Sequence, residues 1–125
     1  MEVPPPSKKQ KPPKAGIMIG FSGHNFSEPE QLVNWNPPFR AGLYAITVPD
    51  QSIKPKPFRV VYFGESGNMS ERGFSSHHKR SCWIKAAGRE TNIYISTLLL
   101  PEATPFGRTI LEHTLVLKYK PVCNR

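Results

Sequence analysis

A small α/β or α+β sandwich, with helices packed on a mostly antiparallel sheet, is predicted by the order of the apolar segments. Two β-rich runs, GLYAITV (residues 42–48) and FRVVYFG (58–64), flank a proline-rich gap. A third alternating run, TNIYISTLLL (91–100), precedes a closing segment with helical periodicity that begins at Thr104-Pro105. At 125 residues the chain suits one domain.

Residues 1–15 contain five prolines, four lysines and almost nothing apolar. They cannot bury enough surface to offset their ordering entropy, so they are expected to be a flexible basic arm. Residues 16–125 then form the single domain, with 16–40 as a lead-in and 41–125 as the core. GIMIGF (16–21) fits a short strand and SGHN (22–25) a turn. SEPEQLVNW (27–35) predicts a short helix with Ser27 as N-cap and Pro29 near its start. NPP (36–38) must end it. PDQSIKPKPF (49–58), with its three prolines, predicts a long exposed loop between two antiparallel strands rather than a tight turn. ESGN (65–68) is a turn, and Asn68 with Glu71 three residues on follows the capping-box pattern. The spacing predicts one helix from about Met69 into HHKR (77–80), and a second over 81–87 that stops at Gly88. In the last helix either Ile110, Thr114 and Leu117 or Leu111 and Leu115 share the apolar face. Lys120 and Pro121 end it.

Seventeen basic residues against nine acidic give a formal charge of +8, of which residues 1–16 supply +3. The remaining +5 favours encounters with polyanions without naming one. No apolar run approaches the roughly 20 residues a bilayer span needs. The N-terminus lacks the apolar stretch of a signal peptide. Two cysteines, Cys82 and Cys123, are too few for a small secreted disulfide scaffold. The expectation is two reduced thiols in a cytoplasmic protein that does not engage membranes and is monomeric by default. His77, His78, Cys82 and Cys123 match no standard zinc-site spacing.

Five residues suit phosphodiester cleavage. Tyr44 and Tyr62 fall on neighbouring predicted strands beside Gly42 and Gly64. Arg72 follows Tyr62 by ten residues, Glu112 lies in the last helix, and Asn124 lies twelve residues beyond Glu112. A carboxylate can hold a divalent cation on a phosphate oxygen. A guanidinium can stabilise the charge that builds in the transition state. A phenol can relay a proton from water if a cation lowers its pKa of about 10.

This arrangement resembles the GIY-YIG nuclease family. GLY (residues 42–44) is similar to the first motif, YFG (62–64) to the second, Arg72 to the family's helix arginine, and LEHTLVLKYKPVCN (111–124) to its closing segment. The resemblance covers about residues 41–125. It implies a three-stranded antiparallel sheet flanked by helices, carrying one metal-dependent endonuclease site that hydrolyses DNA. It implies Tyr44 as general base or water activator, Tyr62 as a residue orienting water or phosphate, and Arg72 as the transition-state cation. Glu112 would be the sole protein ligand of Mg2+ or Mn2+, and Asn124, with Gly42 and Gly64, would support the site.

Three features depart from the family. Tyr44 and Tyr62 are eighteen residues apart, so the connecting loop is long. Glu65 follows the second motif. The histidine found four residues after the arginine in several members is Ser76 here, with His77 next; Gly73, a poor interior helix residue, offers the irregularity that would bring His77 into place. Lys79, Arg80, Lys85 and Arg89 are candidate phosphate contacts beside the site. The residues do not separate DNA from RNA. They also leave a second reading open, a non-catalytic nucleic-acid-binding or protein-interaction module on the same scaffold.

Overall fold

The computed structural model describes residues 18–125; the N-terminal arm expected over 1–15 lies outside them. The chain is an α+β domain with a two-stranded sheet, a four-stranded sheet and two α-helices. Its elements are β1 (Ile19–Phe21), β2 (His24–Phe26), β3 (Glu30–Gln31), β4 (Gly42–Pro49), β5 (Phe58–Ser66), α1 (Arg80–Ala87), β6 (Tyr94–Leu99) and α2 (Pro105–Tyr119). The main sheet runs β3-β6-β4-β5 and is antiparallel throughout. It has four strands rather than three, because the two-residue β3 pairs with the outer edge of β6.

β4 is the central strand. Seven of its eight residues are buried, so it reads as an unbroken apolar run rather than an alternation. Each face of the sheet carries its own core. Tyr44, Ile46 and Tyr62 pack with Phe74, Trp83 and Ile95 on one face, under α1. Leu43, Ala45 and Phe63 pack with Phe21, Phe26 and Leu115 on the other, under the β1–β2 hairpin and α2. On α2 the apolar face is the one through Leu111 and Leu115. Leu115 is fully buried, whereas Ile110 is 49% and Leu117 60% exposed. Thr104 caps this helix, accepting the Gly107 N–H at 3.0 Å. The loop between β4 and β5 is long, and residues 51–55 are exposed.

Three expectations are corrected. Residues 27–35 do not form a helix capped by Ser27; the segment holds β3 and a single 3-10 turn, Leu32–Asn34. Ser27 instead pairs with Thr97, donating its N–H to the Thr97 carbonyl at 2.8 Å and accepting the Thr97 N–H on its hydroxyl at 2.9 Å. The unpaired polar edge of β6 competes for this segment and wins over a weak local helix preference. The helix expected from Met69 into residues 77–80 is two 3-10 turns, Met69–Glu71 and Phe74–Ser76, because Gly73 between them is left-handed (φ 72°). Asn68 still caps the first turn, accepting the Ser70 N–H at 3.1 Å.

The third correction concerns the thiols. Cys82 and Cys123 form a disulfide with a Cα–Cα distance of 5.8 Å. The 3-10 turn Val122–Asn124 folds back against the first turn of α1, which places the two residues within bonding reach. A separation of forty-one residues carries no hint of that contact. The bond also removes the thiol-based argument for a reducing compartment. No helix among the described residues is long and apolar enough to cross a membrane.

Candidate active site

Tyr44 is placed by strand pairing. Its Cα partner on β5 is Gly64, and Ile46 pairs with Tyr62 two positions along. Tyr44 and Tyr62 therefore project from the same face of adjacent strands, with ring centroids 6.1 Å apart. The Tyr44 ring lies across the backbone of Gly64. A Cβ built there would come within 2.3 Å of Tyr44 Cζ and 2.4 Å of its hydroxyl. A Cβ at Gly42 would meet the Leu98 carbonyl on β6 at 2.3 Å. Both motif glycines are thus demanded by close approach, one to a catalytic-type side chain and one to a neighbouring strand.

Asn124 braces β5 from outside. Its side-chain amide accepts the Phe63 N–H and donates to the Phe63 carbonyl, both at 2.9 Å. It stands in for a missing strand at the sheet edge, between Tyr62 and Gly64.

The break at Gly73 turns His77 into the site. His77 is 5% exposed, and its Nε2 lies 2.9 Å from the Tyr44 hydroxyl and 2.9 Å from Arg72 Nη2. The Lys79 backbone N–H donates to His77 Nδ1 at 3.0 Å. In the neutral imidazole this leaves the ring proton on Nε2, where it donates to the Tyr44 oxygen. The phenol O–H is then left to donate towards the Tyr62 oxygen. Arg72 has only donors, so its contact with a protonated Nε2 leaves that guanidinium edge in want of an anion.

Glu112 occupies the adjoining flank. Arg108, one helical turn earlier on α2, is buried; its Nε donates to Glu65 Oε1 at 2.9 Å and its Nη1 to the Ala103 carbonyl at 3.0 Å. The Arg108–Glu65 pair ties α2 to β5 and turns the same helix face, with Glu112, towards Tyr62. Glu65, the carboxylate after the second motif, is thereby engaged. Glu112 is half-buried and, among the described residues, takes part in no hydrogen bond or ion pair.

The electrostatics follow from burial. Desolvation, and then the neighbouring Tyr62, hold the Tyr44 phenol well above its ordinary pKa; Arg72 opposes this. Tyr62 is raised by burial and by the Glu112 carboxylate, with Arg72 again opposing. Glu112 is raised by burial and by Glu65. His77 is pushed down to about 4 by burial, then by Arg72, His78 and Lys79. Both phenols and the imidazole are therefore uncharged at neutral pH, and beside the paired Arg108 and Glu65 the site presents the Arg72 guanidinium and the Glu112 carboxylate.

The state of His77 has a measurable consequence. An unfolded histidine takes up a proton below about pH 6.5, the folded one only near pH 4. Between those values the unfolded chain binds more protons, so stability falls as pH is lowered through that window. Urea unfolding at pH 7 and pH 4.5 should show a loss from this group of up to about 2 kcal/mol. His77→Gln should flatten the slope by that amount. An equal slope in both proteins would mean that His77 is not buried uncharged.

Among the described residues no three acidic, histidine or cysteine side chains converge as a ready-made cage. What is present is one partly desolvated carboxylate without an ion pair, Glu112, beside a second, Glu65, that is paired with Arg108. That donor set suits a hard divalent cation completed by water and phosphate oxygens.

The four candidate phosphate contacts separate. Lys85 and Arg89 are exposed. Lys79 Nζ donates to the Arg125 carbonyl at 3.0 Å. Arg80 is bound to Glu90 and donates to the Phe74 carbonyl, so it serves the fold rather than a phosphate. Two residues of the site escaped sequence reasoning. Arg108 could have been found from its i−4 spacing to Glu112, together with the need of Glu65 for a cation. Phe74, whose ring stands 4.8 Å from Tyr44, had no signal beyond lying between Arg72 and His77. No family model, curated protein or solved structure matches the chain.

Proposed function

We propose that the protein is a divalent-metal-dependent endonuclease that hydrolyses phosphodiester bonds in DNA. The observation that carries this reading is the convergence of Tyr44, Arg72 and His77 within 2.9 Å contacts at one imidazole nitrogen, with Tyr62 and Glu112 alongside. These side chains come from two strands, a loop and a helix, and packing alone does not require a guanidinium among buried phenols. The resemblance of residues 41–125 to the GIY-YIG nucleases supports the same reading.

In this scheme Arg72 receives the phosphate and stabilises the charge that builds on it. His77 holds the Tyr44 oxygen, which keeps the phenol O–H directed at Tyr62 and, through it, at the attacking water. Tyr62 lines the opposite wall and orders that water. Glu112 would hold Mg2+ or Mn2+, which supplies Lewis-acid stabilisation of phosphate charge and lowers the pKa of nearby water and phenol. Lys85 and Arg89 track the flanking backbone.

The test is a plasmid-nicking assay with Mg2+ or Mn2+. Wild type should nick, and Arg72→Ala should lower the rate roughly 10²–10³-fold. Binding of DNA without any cutting, across duplex, branched and single-stranded substrates, would replace this reading with the non-catalytic module.

A further inference from the structure

The lead-in segment builds a cleft against the far side of Phe74. Leu32, Trp35, Pro37, Gly73, Phe74 and Arg80 line a space of about 400 Å3, within the range of small-ligand sites. Trp35 is only half-buried, and its ring meets Phe74 at 5.0 Å with the two planes at 90°. A flat group can stack on one of these rings while its edge meets the other. Phe74 is a shared wall, since its opposite contact is Tyr44 at 4.8 Å. A planar occupant would sit one ring away from the Tyr44, His77 and Arg72 cluster.

Two properties choose the occupant. Trp35 and Phe74 give the cleft two aromatic walls, with Ser70, Ser75 and Arg80 as polar lining, which favours a planar ring with polar edges. Arg80 in the wall, on a chain of net charge +8, favours a ligand that carries negative charge beside that ring. A nucleotide has both. We propose that this cleft takes one unpaired nucleobase next to the phosphate at the active site, and so directs the enzyme to DNA with an unpaired nucleotide at the cut. This rests on the nuclease reading above. A paired base is held inside the duplex stack and cannot enter without being extruded, at a cost that an already unpaired base does not incur. Residues 30–37 would thus select the substrate that residues 41–125 cut.

The experiment measures binding without metal, so that cleavage plays no part. Three labelled duplexes are compared with the full chain: fully paired, with one unpaired nucleotide, and with an abasic site at that position. Wild type should bind the unpaired nucleotide roughly tenfold more tightly than the other two, as expected for one base stacked on an aromatic ring. Trp35→Ala should erase the difference while leaving affinity for the paired duplex unchanged, and Trp35→Phe should keep most of it. Equal wild-type affinity for the base and the abasic site overturns the proposal, whether or not Trp35→Ala folds; so does binding to none of the three. A nicking assay separates the two readings. Base-dependent binding without cutting removes the nuclease alone, and cutting without base dependence removes the cleft's role alone.

Discussion

Glu112→Ala is expected to lower metal-dependent nicking by roughly 10²–10³-fold or more while leaving the protein at least as stable as wild type. The two effects separate because of where Glu112 sits. Its carboxylate is half-buried, makes no ion pair among the described residues, and faces a second carboxylate at Glu65, a repulsion that the neighbouring His113 offsets only in part. Burial and that repulsion raise its pKa in the folded state. A carboxyl group whose pKa rises on folding costs stability at any pH where it is ionised, so removing it relieves the fold at neutral pH. A surface glutamate with a structural role would behave in the opposite way, since its loss would reduce stability and spare activity. The measurement pairs a nicking assay with thermal unfolding at pH 7, using Glu112→Gln as a second, isosteric variant. If Glu112→Ala nicks at the wild-type rate, the carboxylate is not the metal ligand and the site assignment fails. Titration with Mn2+ should show one weak site in wild type and none in the variant.

Gly64→Ala and Gly42→Ala should be the two most damaging glycine-to-alanine changes among the described residues, and Gly64→Ala is the one that strikes the site. The added Cβ would lie 2.3 Å from Tyr44 Cζ, 2.4 Å from its hydroxyl and 2.8 Å from Cε2, all far inside contact distance. The ring cannot step aside cheaply. It is fully buried, Phe74 stands 4.8 Å away, and its hydroxyl is held at His77 Nε2. The backbone of Gly64 cannot withdraw either, because its neighbour Phe63 is clamped by the two hydrogen bonds to Asn124. Overpacking at a site so enclosed costs about 3 kcal/mol, and the displaced phenol should take the nicking activity with it. A double-mutant cycle isolates the cause. In a Tyr44→Ala background the same Gly64→Ala change should cost little, because the ring it collides with is gone. A penalty that persists without the ring would place the strain elsewhere in β5.

The candidate site was legible wherever it is written in local pattern. Tyr44 and Tyr62 could be set on neighbouring strands because GLYAITV and FRVVYFG are each too β-rich for another assignment, and their pairing follows from order along the chain. Glu112 could be put at the margin of the apolar face of α2 from the spacing of Leu111 and Leu115 alone. The helix start at Thr104-Pro105 is a short-range rule, and it held.

The failures occurred where partners distant in sequence outbid local preference. Ser27 has the chemistry of a helix cap, but the polar edge of β6 offered Thr97 as a stronger partner seventy residues away. Residues 69–80 follow a capped-helix pattern, yet the left-handed conformation at Gly73 breaks it, and that break is what delivers His77 to Tyr44. Cys82 and Cys123 read as reduced thiols because nothing local says that the C-terminal turn folds back onto α1.

The sequence by itself determined strands β4, β5 and β6, helices α1 and α2, and the residue types available for chemistry, because these depend on periodicity and composition within a few turns of chain. Only the tertiary structure decided which of those residues meet. It paired Arg108 with Glu65 and left Glu112 without an ion pair among the described residues, committed Arg80 to Glu90, and joined Trp35 to Phe74 beside the site. Each of these outcomes is a competition between groups far apart in the chain, settled by which burial and which pairing cost least in three dimensions.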